Sequence, residues 1–314
     1  MRPIRLVPDN TKIDFIGRRL IAFALSGLLV LGSIVVIATH GLNFGIDFRG
    51  GILIEVRTEG PADIGAMRNT LSGLGIGQAT LQEFGGPRDV MIRIPHQEGD
   101  EAAQMAAIEQ VRGALGPAVE YRRTEFVGPQ VGDELIRAGI LAVVLAIGGI
   151  LAYVSFRFEW QFGVAAVAAL THDVIATIGL FALTQMEFSL STVAAVLTVA
   201  GYSINDTVVV FDRVREDLRR HKSTDLPTVL NTAINQTLAR TLITSGTTLL
   251  AVLALVVFGG EVIRGFSIAL IWGIGIGTYS SICVAVPLLL YLNVRRGRSG
   301  GTGKKDQPVA AGNA

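Results

Sequence analysis

Six apolar runs, each long enough to cross a bilayer, dominate this sequence of 314 residues. They occupy about residues 20–39, 135–156, 162–183, 189–211, 241–259 and 266–292. A hydrocarbon core takes roughly 20 apolar residues of helix, and inside it every backbone N–H and C=O must be satisfied within the segment. The sequence therefore predicts an α-helical polytopic membrane protein with six transmembrane helices. The last run is long enough to tilt or to end at the interface. The first follows Arg18 and Arg19 with no small-residue cleavage site near its end, and reads as a retained signal-anchor. Charged residues make up 17% of the chain, against roughly 25% in soluble domains, and mean hydropathy is +0.51. An ordinary globule and a disordered chain are both excluded. A net charge of +1 argues against a nucleic-acid or other polyanion partner. The single cysteine, Cys283, excludes an internal disulfide and a multi-cysteine metal cluster.

Lysine and arginine in the short loops set the orientation. With the N-terminus in the cytoplasm, the cytoplasmic segments hold seventeen basic residues and the opposite short loops hold only Arg264. Both termini are then cytoplasmic. The expected organisation is an N-terminal tail (1–19), the first span (20–39), an external domain (40–134), five further spans (135–292) and a flexible C-terminal tail (293–314).

The external domain reads as strand, helix, strand, strand, helix, strand. ILIEVR (52–57), ATLQEF (79–84), VMIRIP (90–95) and AVEYRRTEFV (118–127) are β-rich, and the first and third alternate. The segments 61–75 and 98–116 carry helix start and stop signals, with GGPRD as a turn. This βαββαβ order predicts a small α+β ferredoxin-like sandwich. His96 reads as loop decoration, and Gly50–Gly51 as a tight turn into the sheet.

Charges inside the spans carry most of the functional information, because an ionisable group at the bilayer centre costs roughly 2.5–3.5 kcal/mol on insertion scales. Asp206, flanked by Asn205 and Thr207, lies about five residues inside the fourth run. Arg213 follows seven residues on, along the same helix face. Arg240 opens the fifth run. The two helices are antiparallel neighbours, so Asp206 and Arg240 share one third of the membrane, where a pair would be mutually compensating and switchable by a proton on the carboxylate alone. Asp173 falls near the middle of the third run beside His172; the two side chains point about 100° apart and need not share a site. Each has a bland alternative: Asp206 and Asp173 as packing hydrogen-bond groups, Arg213 as a snorkelling arginine, Arg240 as a positive-inside anchor, His172 as a packing residue. GIGIG (273–277) and SGTT (245–248) permit close helix contact.

The stretches GIDFRGG (45–51), FVGPQVGDEL (126–135), THDVIATIG (171–179), GYSINDTVVVFDRVRED (201–217) and NQTLARTLITS (235–245) resemble the SecF family of protein-export membrane proteins. The resemblance covers roughly residues 15–292. It implies half of an RND-type transporter, with SecD supplying the other half and the pair associating with the SecYEG channel. It implies a place in the bacterial inner membrane with the large loop periplasmic. It implies use of the proton-motive force to promote late-stage translocation and release of a preprotein, without enzymatic activity or cofactor and with H+ as the coupling ion. On the matching motifs, the coupling residues are Asp206, Arg240 and Arg213 beside Asn205. Asp173, His172 and Thr207 are possible supporting polar residues.

Three other functions use the same features. An RND-type exporter of lipid or small molecules would share the six spans and the buried carboxylate, although the external domain is small for one. An intramembrane aspartyl protease would need Asp173 and Asp206 together, yet neither sits in a G-x-G-D context. A purely structural channel subunit would leave the cost of the buried charges unexplained.

Overall fold

The structure, a computed structural model, describes residues 8, 11–259, 263–292 and 294. The expected C-terminal tail apart from Val294, and most of the N-terminal tail, lie outside the described residues.

Six helices are long and apolar enough to span a membrane. They are α1 (Arg19–His40), α5 (Pro129–Arg157), α6 (Trp160–Thr184), α7 (Leu190–Arg220), α8 (Leu226–Phe258) and α9 (Arg264–Ser280). The last continues through a π-helical turn, Ser281–Ala285, and a short turn, Val286–Leu288. A four-residue helix α2 (Ile46–Arg49) follows α1, then β1 (Gly51–Thr58), α3 (Ile64–Ser72), β2 (Thr80–Phe84), β3 (Gly86–Ile94), α4 (Glu101–Leu115) and β4 (Val119–Val127). All strand pairs are antiparallel, in the order β2-β3-β1-β4. That is the ferredoxin-like order expected of the βαββαβ pattern.

One local difference from the sequence reading stands out. β3 begins at Gly86, so most of the expected GGPRD turn is already strand, and the reversal is confined to Gly85 at φ +72°. A helical turn precedes the glycine pair, where Gly50 and Gly51 both take positive φ as a tight turn into the sheet requires. Gly51 admits no side chain, because a Cβ there would meet the Ile94 carbonyl.

The sheet has two unlike faces. Ile52, Ile54, Val56, Val90, Ile92 and Ile94 point to the side covered by α3 and α4, where they meet Leu71, Ile108 and Val111. The opposite face carries Glu55, Arg93, Arg123 and Glu125, and it faces the α6–α7 loop. Arg93 reaches Glu187 at 3.0 Å and Asn43 Oδ1 at 2.7 Å, while Arg123 bridges Glu55 and Glu125. His96 is half-buried and stacks on Phe126, which is more than surface decoration.

Burial pushes the Glu55 carboxyl above its ordinary range, with Arg123 opposing the shift. Arg57, bonded to Asp89 at 2.6 and 2.8 Å, holds that carboxyl below its own. The signs are opposite. Asp89 contributes stability above its unfolded value that is lost as pH falls through its lowered value. Glu55 withdraws stability as pH rises from its ordinary value of 4.5 through its raised one. A Glu55→Gln chain should therefore lose the decline above pH 4.5 while keeping the acid limb. Exchange protection factors of the β1 amides, measured against pH in nanodiscs, check this; an unchanged decline would assign it elsewhere.

The membrane helices form one bundle. At one end the aromatics Phe158, Phe162 and Phe211 pack together, and Arg157 of α5 pairs with Asp212 of α7 at 3.1 Å. Residues 13–16, just before α1, are tied to the start of α8 through Asn231 and Asn235. At the other end Phe44, Phe48 and Phe188 cluster, and Asp47 caps α7 by accepting from the Leu190 N–H at 2.8 Å.

Between the ends, α7 and the last span run in step. Val199 faces Gly273, Ser203 faces Gly277, and Thr207 meets Ser281 at 2.7 Å. One small residue every fourth position lets the backbones approach closely. The expected role of GIGIG in close packing thus falls on Gly273 and Gly277; around Gly275 there is open space.

Candidate functional site

Asp206 lies in α7, which begins at a capping box of Ser189 and Thr192 and runs without a break to Arg220. It is 2% exposed, turned into the seam with α8. Ser245 Oγ donates to its Oδ2 at 3.3 Å, and Ser245 in turn shares a 2.7 Å hydrogen bond with Thr278 of α9. The carboxylate therefore sits where three helices meet, held by hydroxyls.

α8 begins at Leu226 behind an Asp225 cap, so Arg240, at the start of the apolar run, lies well inside the helix. It departs from the sequence reading in forming no direct pair: no ion pair within 4.0 Å joins it to Asp206 among the described residues. The physical reason is register. Asp206 lies level with Ser245, and Arg240 precedes Ser245 by five residues, about 7.5 Å along the axis. Its side chain is exposed on the outer face of α8.

Arg213 also turns elsewhere. It bonds Glu216 at 2.7 Å, approaches Asp217 at 3.6 Å, and donates to Gln236 of α8. It fastens the α7–α8 hairpin beyond Asp206 rather than joining the carboxylate. The signal was visible in DRVRED, where the acids stand three and four residues after the arginine. Asn205 is exposed on α7, one helical step from Asp206 and on a different face. Thr207 is buried and contacts Ser281, so it belongs to the α7–α9 contact.

Asp173 and His172 meet, although neighbours on a helix need not. His172 Nδ1 lies 2.9 Å from Asp173 Oδ1. Asp173 is fully buried, and its Oδ2 accepts from Ser203 of α7 at 2.6 Å and Ser280 of α9 at 2.8 Å. The buried carboxylates Asp173 and Asp206 thus face different helix seams and have separate hydroxyl partners. They do not form a protease-like pair.

Sequence reasoning missed the hydroxyl set: Ser203, Ser245, Thr278, Ser280 and Ser281. Serine and threonine are unremarkable in apolar runs, since each can bond a carbonyl of its own helix. The usable signal was spacing: Ser203 with Thr207, and Gly277 with Ser281, stand one turn apart on facing helices.

This arrangement defines a class: a six-span helical membrane protein with a ferredoxin-like unit inserted after its first span and ionisable groups at the bundle centre. Residues 107–295 match the family described as protein export membrane protein SecD/SecF, C-terminal, and residues 35–62 match the SecD/SecF GG motif. The protein translocase subunit SecF of Magnetococcus marinus is 52% identical over 288 residues, 90% of this chain and 93% of that one. The SecF subunit of Rickettsia rickettsii is 46% identical over 291 residues, 91% of this chain and 94% of that one. Among solved structures, SecDF of Thermus thermophilus, described as a translocon-associated membrane protein, superposes with a TM-score of 0.83 at 38% identity, covering 90% of this chain. SecDF in a super-membrane-facing form gives 0.68 at 37% identity over 93%. The chain spans 39% and 40% of the length of these two SecDF chains. The chain belongs to the SecD/SecF family of protein-export membrane proteins.

Proposed function

We propose that the chain is the SecF-type accessory subunit of a Sec translocase, in the bacterial inner membrane with both termini cytoplasmic. It works with a SecD-type second half and uses the proton-motive force to promote late-stage export of a preprotein. The one observation that carries this reading is the exposed guanidinium of Arg240 beside the seam that buries Asp206. A charge on the outer face of a span is costly in lipid. A partner chain seated on α7 and α8 with a carboxylate of its own removes that cost, and Asn205 lies exposed on α7 to meet the same partner. Supporting it is the fact that solved SecDF chains contain a region like this one within a longer polypeptide.

In the mechanism, Asp206 alternates between carboxylate and carboxylic acid as access switches between the two aqueous sides. The ionised form is attracted by Arg240; the protonated form keeps its hydroxyl contacts, Ser245 among them, without that attraction. The change alters how α7 sits against α8. A proton moving downhill supplies about 2.3 kcal/mol per 100 mV, which shifts a two-state equilibrium by roughly fiftyfold. Several cycles per exported chain are therefore needed.

The test is export of a reporter preprotein into inverted vesicles that contain the channel and the second half, with and without this chain. The chain should add a component of export that a protonophore abolishes. A contribution that is equal with and without a gradient overturns the proton-driven reading.

A further inference from the structure

We propose that His172 and Asp173 form a second proton-loading site, distinct from Asp206, with His172 Nε2 as the atom that takes the proton. The proposal rests on the proton-driven reading of this chain and extends it to a group which that mechanism does not use.

Hydrogen bonding at the dyad is uneven. Asp173 is 0% exposed and His172 5%. Asp173 Oδ2 is saturated by two serine hydroxyls from two different helices, at 2.6 and 2.8 Å. Its Oδ1 faces His172 Nδ1 at 2.9 Å, so one proton lies between those two atoms. With Oδ2 already accepting two hydroxyl donors, we assign Asp173 the carboxylate form, which puts that proton on Nδ1. His172 Nε2 is then the remaining polar atom of the dyad, and it is buried without a hydrogen-bond partner.

Charge balance decides what Nε2 does. With neutral imidazole the dyad carries a net charge of −1 in a fully buried position, which is expensive to hold. Adding one proton at the Nε2 lone pair converts imidazole to imidazolium and brings the dyad to zero. No bond other than that N–H forms, and none breaks.

Among the described residues no basic side chain pairs with the dyad otherwise. From α9 the titratable group facing the imidazole is Tyr279, with ring centroids 6.3 Å apart, and its hydroxyl is engaged by Ser26 and the Ala22 carbonyl of α1. Cys283 follows one turn beyond Tyr279. α7 turns Asp206 towards α8 instead. α1 keeps Arg19 and His40 at its ends. α5 keeps Asp133, Glu134 and Arg137 in its first turns, and Tyr153 and Arg157 in its last.

Loading also has a mechanical consequence. The two serines that saturate Asp173 come from α7 and the last span, the same two helices that pack in step through glycine. Discharging Nε2 leaves an uncompensated carboxylate that draws these hydroxyls more strongly. The proton on His172 therefore biases how tightly α6, α7 and the last span close on one another.

The chain has four histidines. Replacing His40, His96 and His221 by glutamine leaves His172 alone, in the full chain assembled with its second half in nanodiscs. Nitrogen NMR of the labelled imidazole, followed over the pH range in which the complex stays assembled, should show Nδ1 protonated throughout and Nε2 gaining its proton as the pH falls. Asp173→Asn should lower the proton affinity of Nε2 by at least tenfold. A ring that stays in one neutral tautomer, or stays doubly protonated, across that range overturns the proposal and makes the dyad a fixed packing element. His172→Gln should reach the normal folded yield and lose the step assigned to His172 from the pH profile of gradient-driven export. An unchanged profile counts against the proposal.

The Asp206→Asn background separates the two readings. If export becomes independent of the gradient while His172 still titrates, both stand. Full gradient-driven export in that background overturns the role of Asp206, and the His172 titration then stands or falls by itself.

Discussion

Replacing Asp206 by asparagine should reduce gradient-driven export to the level seen when the gradient is collapsed, a loss of at least tenfold in the protonophore-sensitive component. Asparagine has nearly the shape of aspartate, and its carbonyl oxygen can still accept from Ser245, which lies 3.3 Å from the native carboxylate. The contact between α7 and α8 is thus kept while the ability to gain and lose a charge is removed. The folded yield and the export that is independent of the gradient should therefore be unchanged. The export assay with and without protonophore, on matched amounts of assembled complex, reads both quantities. A variant that retained full gradient dependence would remove Asp206 from the mechanism, whatever its burial.

The second large effect concerns packing. A methyl group added at Gly273 would collide with Val199, whose branched side chain has little room to move aside. Overpacking of this kind costs about 1–3 kcal/mol. Here it falls on the contact that also aligns Ser203 with Gly277 and Thr207 with Ser281. Gly273→Ala should therefore cut the yield of folded, monodisperse protein several-fold in detergent. Gly275→Ala, two residues away on the same helix, meets open space and should cost nothing. Combining Gly273→Ala with Val199→Ala should restore most of the yield. Equal yields for the two single variants would show that the close approach of these helices is not needed for folding.

The spans were legible because hydropathy over about 20 residues is a strong signal, and the sandwich followed from the order of strand and helix signals. Helix ends were less legible. α7 and α8 run past the apolar runs, since polar residues such as Arg213, Gln236 and Asn235 continue a helix as well as end one, and hydropathy cannot see that. The π-helical turn at Ser281 left no mark in the sequence.

At the site, burial of Asp206 and Asp173 was foreseeable from their place in apolar runs. Their partners were not. Proximity of Asp206 to Arg240 in sequence-derived depth suggested a direct bond, but rotation about each helix axis decides contact. A five-residue offset from Ser245 carries Arg240 past the carboxylate and out to the surface. Asn205 shows the same limit: it is adjacent to Asp206 in sequence, yet about 100° of helix rotation leaves it exposed while Asp206 is buried.

The cap that Asp47 places on α7 has a mechanical consequence. That aspartate belongs to the short segment leading straight into β1, and the same stretch is pinned to Phe188 by backbone hydrogen bonds from both sides. α7 is 31 residues long, a rod of about 46 Å. One end is hooked to the lead-in of the sheet, and further along sits the ionisable group. A slide of α7 by a single residue would displace that hook by roughly 1.5 Å, with no slack loop to absorb the travel. On the proton-driven mechanism proposed above, α7 would act as a pushrod, carrying a shift at its buried acid to the root of β1.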